Sequence, residues 1–162
     1  MKICHFTFRF QLDVDERLKI KEVSLAVSNM ERSIQFWKEL LEMKVISCSD
    51  NECVLNYDPV NQANLRLVTT DPKGTPVDHA TAFGRIAFSL PTNDLPQLES
   101  NVKNGQLGSV KTPLVVLDTP GKADVQVVIL EDPVRYSICT KNPLEWWNQK
   151  KISRLLVHGQ FP

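Results

Sequence analysis

Two charged residues open two copies of one short pattern. Glu22-Val23-Ser24-Leu25-Ala26-Val27 reappears in weakened form as Arg85-Ile86-Ala87-Phe88-Ser89-Leu90. A carboxylate such as Glu22 can ligate a cation or pair with one, whereas a guanidinium such as Arg85 stays protonated and only donates. The other reactive groups are scattered. His79 lies far in sequence from any thiol, and Cys139 has no base at a readable spacing, so an inert core thiol is its simpler reading. For His79 the simpler reading is a hydrogen bond or cap in a linker. Cys4, Cys48, Cys53 and Cys139 form no CxxC pair. In a chain whose Met1–His5 start lacks a signal-peptide pattern they read as reduced, intracellular cysteines. Cys48 and Cys53 flank a tight turn, where a reversible disulfide is conceivable but disfavoured in a reducing compartment. There is no Gly-rich phosphate loop and no serine-nucleophile elbow.

The elements that must position these residues follow from periodicity. Phe6, Phe8, Phe10 and Leu12 alternate with polar residues, as in a strand, and Asp13–Arg17 interrupts with charge. From Lys19 to Val27, Val23, Leu25 and Val27 share one face and Glu22, Ser24 and Ala26 the other. Ser28 or Asn29 can cap a helix near Glu31–Glu42, with Ile34, Trp37, Leu40 and Leu41 as its core stripe. Strands near 44–47, 52–57 and 64–69 follow, separated by Ser49-Asp50-Asn51 and Asp58-Pro59. Residues 71–78 are turn-rich and read as a linker. The second copy repeats the order: a strand near 83–90, a helix near 95–103 ended by Asn104-Gly105, and strands near 111–117, 125–130 and 136–140. Residues 142–162, with Trp146-Trp147 and Lys150-Lys151, fit neither copy and read as a short amphipathic helix or a poorly ordered tail.

A strand-helix-strand-strand-strand unit written twice predicts an α+β fold of paired βαβββ modules, with an eight-stranded curved mixed sheet and a pocket between the copies. The length of 162 residues suits one domain, and 19 basic against 19 acidic residues argue against nucleic acid as the main partner. No apolar run reaches the roughly 18 residues that span a membrane.

The motifs also carry a resemblance. Lys21–Ser33 followed by Phe36-Trp37 resembles the opening of a vicinal oxygen chelate module, of the glyoxalase/bleomycin-resistance/dioxygenase superfamily. Leu40–Val45 resembles its helix-end signature, with Glu42 where glycine is usual. Val77–Ser89, Lys111–Leu114, Leu117–Ala123 and Val125–Leu130 are similar to the C-terminal domain family of glyoxalase domain-containing protein 4. The resemblance covers roughly residues 18–141. It implies a domain at 19–141, with modules about 19–71 and 79–141, and a divergent tail at 142–162. The segment 1–18 would then hold the last strand of a missing preceding domain, free to pair with another copy. Cytoplasm or mitochondrion is the implied location.

Metal-dependent members carry ligands on the first and fourth strands of each module. Matched residue by residue, those positions are Glu22, Arg66, Arg85 and Cys139. Glu22 could ligate, and so could Cys139; the arginines cannot. At about 5 Å and an effective dielectric near 20, each arginine would cost a bound dication on the order of 6 kcal/mol. The resemblance thus leads to a pseudoenzyme without cofactor, in which the two arginines and one carboxylate either fill the old site or hold a small anionic metabolite. Protein interaction is a further use of such a module. The alternative is a lactoylglutathione-lyase-like enzyme using zinc or nickel on ligands such as Glu22, His79 and Cys139.

Overall fold

The structure is a computed structural model that describes residues 6–12, 18–70, 73–79, 84–118, 124–141 and 156–159. The chain divides into two compact units, Met1–Phe83 and Gly84–Pro162.

The first unit builds on β2 (Leu18–Val27), whose alternation buries Val23, Leu25 and Val27 completely. It continues through α1 (Met30–Gln35), β3 (Lys44–Cys48), β4 (Glu52–Asn56) and β5 (Asn64–Thr69). Asn29 caps α1, its side-chain oxygen accepting from the Arg32 backbone N–H at 2.9 Å. Five further residues, Phe36–Leu40, wind as a π-helical turn. That turn buries Phe36 and Trp37, whose rings meet edge to face at 5.5 Å. The predicted single helix is therefore two differently wound segments. Glu42, at the glycine position of the signature, takes φ 57°. Just before it, the Leu41 carbonyl accepts a hydrogen bond from the Tyr57 hydroxyl.

The sheet order is β1-β2-β5-β4-β3, with β2 and β5 parallel and the other pairs antiparallel. The additional strand β1 (Phe6–Leu12) lies on β2, from Phe6 opposite Leu25 to Leu12 opposite Leu18. The strand expected to stand without its original domain thus has a partner inside this chain. Beyond β5, the Thr70 backbone N–H donates to the Val27 carbonyl at 3.0 Å. Gly74, at φ 66°, passes so close to the Ser28 carbonyl that a Cβ would sit 2.9 Å from it.

The second unit repeats the plan with β6 (Gly84–Ser89), α2 (Leu95–Gly105), β7 (Ser109–Leu117), β8 (Val125–Glu131) and β9 (Ser137–Lys141). Pro96 lies in the first turn of α2, where its missing N–H costs nothing. Leu95, Leu98 and Val102 face the core beside Ile86, Phe88, Val128, Leu130 and Ile138. The helix runs through Gly105, and Gln106 takes the left-handed position at φ 55°; the expected stop at Asn104-Gly105 falls one residue later. The sheet order is β10-β6-β9-β8-β7, again with one parallel pair, β6 and β9. Strand β10 (Leu156–Gly159) runs antiparallel on β6. This part of the tail is a strand, not the amphipathic helix offered by its sequence; residues 142–155 lie outside the described residues. The fold is α+β, made of two mixed-sheet βαβββ modules. No helix among the described residues is long and apolar enough to cross a membrane.

Candidate functional site

The parallel strand pair of each module sets the site. In the first module Glu22 lies opposite Asn64, and Ser24 opposite Arg66. In the second module Arg85 lies opposite Ser137, and Ala87 opposite Cys139. The two registers match, so Glu22 corresponds in position to Arg85 and Arg66 to Cys139.

Alternation aims the first pair. Leu65 and Leu67 are buried on the helix face of β5, which leaves Asn64 and Arg66 on the opposite face with Glu22. Glu22 is 6% exposed. Such a buried carboxylate needs a partner. Its Oε1 lies 3.1 Å from Arg66 Nε. The same guanidinium donates from Nη1 to Glu52 Oε2 at 2.8 Å. Glu52 sits on β4, two residues from Val54, which lies directly opposite Arg66. Arg66 thus bridges one inner and one more exposed carboxylate. The buried side chain of Asn56 steadies the loop feeding β5: its Nδ2 donates to Asn64 Oδ1 at 2.6 Å and to the Gln62 carbonyl at 3.3 Å, and its Oδ1 accepts from the Asp58 backbone N–H at 2.7 Å.

Glu52 was absent from the sequence account, which set two arginines against one carboxylate. With Glu52 included, the first module sets one arginine, Arg66, between two carboxylates. The alternation of Glu52, Val54 and Asn56 against buried Cys53 and Leu55 could have placed it on the polar face.

The second module carries a different set. Ser137 is buried between Arg85 on β6 and Glu131 on β8. Lys111 Nζ donates to Glu131 Oε1 at 2.8 Å and to Ser137 Oγ at 3.2 Å. Cys139 carries a thiol and is half-buried, as is Arg85. Here Lys111 pairs with Glu131, and Arg85 lies across Ser137 from them. His79 lies half-buried in the connecting segment.

Cys48 and Cys53 are bonded to each other. This corrects the expectation of reduced thiols. The hairpin places the two cysteines directly opposite one another across the tip, and that geometry outweighs an argument from compartment.

The Glu22 carboxylate is already paired, and the neighbouring ligand position holds a guanidinium, which has no lone pair to give. Among the described residues no three His, Cys, Asp or Glu side chains gather as a metal site.

The comparisons with known proteins agree with this architecture. Residues 29–146 match the family model described as glyoxalase domain-containing protein 4-like, C-terminal domain. The chain is 43% identical over 131 residues to glyoxalase domain-containing protein 4 of Mus musculus, covering 74% of this chain and 39% of that protein. It is 38% identical over 125 residues to glyoxalase 1 of Caenorhabditis elegans, covering 77% of this chain and 43% of that protein. The chain therefore spans about two fifths of the length of these relatives. Among solved structures, lactoylglutathione lyase of Agrobacterium tumefaciens superposes with a TM-score of 0.55 at 12% identity, over 81% of this chain and 97% of that one. The trypanothione-dependent glyoxalase I of Leishmania major gives 0.53 at 26% identity, over 74% and 82%. With its two modules in matching register and most of its length matched by the family model, the chain belongs to the glyoxalase domain-containing protein 4-like C-terminal domain family.

Proposed function

We propose that this glyoxalase-like domain is a binding module for a small anionic metabolite, not a metal-dependent lyase. The observation that supports this most is Arg66. It sits between Glu22 and Glu52, so a fixed cation occupies a position where a lyase needs a metal ligand. A guanidinium held between two carboxylates gives structure without Lewis acidity.

The ligand class follows from the second module. Arg85, Ser137 and Lys111 supply donors on neighbouring strands, the group types that hold a carboxylate or phosphate. A panel of small carboxylates and phosphates, read by thermal shift, tests the proposal. The reading expects at least one stabilising anion, with Arg85→Ala weakening it about tenfold or more, as loss of one charge-assisted contact should. Unchanged affinity in a folded Arg85→Ala chain would sink it.

A second reading has one observation behind it: a relative that is 38% identical bears the name glyoxalase 1. Under that reading the domain is a lyase of the glyoxalase class. It requires turnover that chelators abolish.

A further inference from the structure

We propose that the Cys48–Cys53 bond is a thiol-exchange site at which a low-molecular-weight thiol attacks Cys48, with Cys53 as the resolving thiol. The argument is positional. Cys48 ends the edge strand β3 and is exposed, whereas Cys53 on β4 is fully buried, with Leu67 of β5 on its other side. The cysteines face each other with Cα atoms 4.1 Å apart, a separation typical of the close, non-hydrogen-bonded antiparallel pair. The next pair toward the turn carries its hydrogen bond, Ser49 N–H to the Glu52 carbonyl at 2.8 Å. Opening the disulfide therefore leaves this turn hydrogen bond in place, and Cys53 stays within reach of Cys48 for the return step.

Of the two cysteines, Cys48 is exposed to an incoming nucleophile and Cys53 is buried. A thiolate attacks Cys48 Sγ and forms a new S–S bond there. The Cys48–Cys53 bond breaks, and its electron pair leaves on Cys53 Sγ, which takes a proton and becomes a thiol. One thiol is consumed and one is made. The reverse attack by Cys53 on the mixed disulfide expels the small thiol and restores the bond.

The test uses the full chain purified without reductant. It is treated with reduced glutathione, quenched with acid, alkylated and mapped by peptide mass spectrometry. The proposal expects the glutathione adduct at Cys48 and alkylated thiol at Cys53. In a Cys53→Ala chain treated with oxidised glutathione, the Cys48 adduct should persist at near-stoichiometric level, because nothing resolves it. An adduct found chiefly at Cys53, or a Cys48–Cys53 bond that yields no adduct at any glutathione concentration, would overturn the proposal. The wild-type chain alone decides the site of attack should the Cys53→Ala variant not fold. Neither result bears on anion binding, so the two proposals fail separately.

Discussion

At the scale of single residues, the account turns on Arg66 and Glu42. Removing Arg66 would strand a carboxylate that is almost fully buried. Arg66→Met should destabilise the domain by about 2 kcal/mol, less than for a fully buried pair because the Arg66 side chain is 25% exposed. Adding Glu22→Gln should recover part of that loss. Urea unfolding of the single and double variants checks this; equal losses in the two would show that Glu22 does not depend on Arg66. Glu42 holds φ 57°, a region costly for residues with a Cβ. Glu42→Gly should therefore stabilise by about 1 kcal/mol, offset in part by the greater freedom of glycine in the unfolded chain. A lowered melting temperature would contradict this. Both residues were legible in the sequence, Arg66 through alternation on β5 and Glu42 through its departure from a glycine signature. Glu52 was not seen, because its contact with Arg66 depends on the register of β4 on β5, which residue spacing alone does not supply.

At the scale of elements, the strands were read more accurately than what joins them. Alternation and the turns between runs placed the eight module strands, although β3 and β7 contain no buried residue. The helix ends were harder: the stripe of Ile34, Trp37, Leu40 and Leu41 assumed an α period throughout, whereas the π turn buries Phe36 beside Trp37, and Gln106 took a left-handed position that Gly105 could have filled. The disulfide was legible as two cysteines flanking a turn, but compartment was given more weight than geometry. Tyr57 ties β4 to the end of the helical segment, its hydroxyl donating to the Leu41 carbonyl. Burial, and then the charge of Glu42, push its phenol well above the ordinary value of 10.0. A raised folded value means a stabilising term that is fully present below pH 10 and is lost as pH rises through the folded value. Stability should fall above pH 10 with a Tyr57 contribution of at most about 1.4 kcal/mol per pH unit. Tyr57→Phe should flatten that part of the profile. An identical alkaline slope in the variant would remove Tyr57 from the account.

At the scale of the whole molecule, the duplication is the organising fact. Two modules share one strand plan and one register, yet their corresponding positions carry different chemistry: Glu22 against Arg85, and Arg66 against Cys139. A shared plan with unlike side chains preserves the fold while placing an ion pair in one module and basic donors in the other. The family and the fold were legible from motifs and periodicity. The second partner of Arg66 was not, because it needed the register of β4 on β5.

The most direct measurement is the metal content of the purified chain, followed by its melting with zinc, nickel and manganese in turn. The account predicts less than stoichiometric metal and no metal-dependent rise in melting temperature. One equivalent of bound metal, with a melting temperature that rises on its addition and falls on chelation, would contradict it and restore the lyase reading.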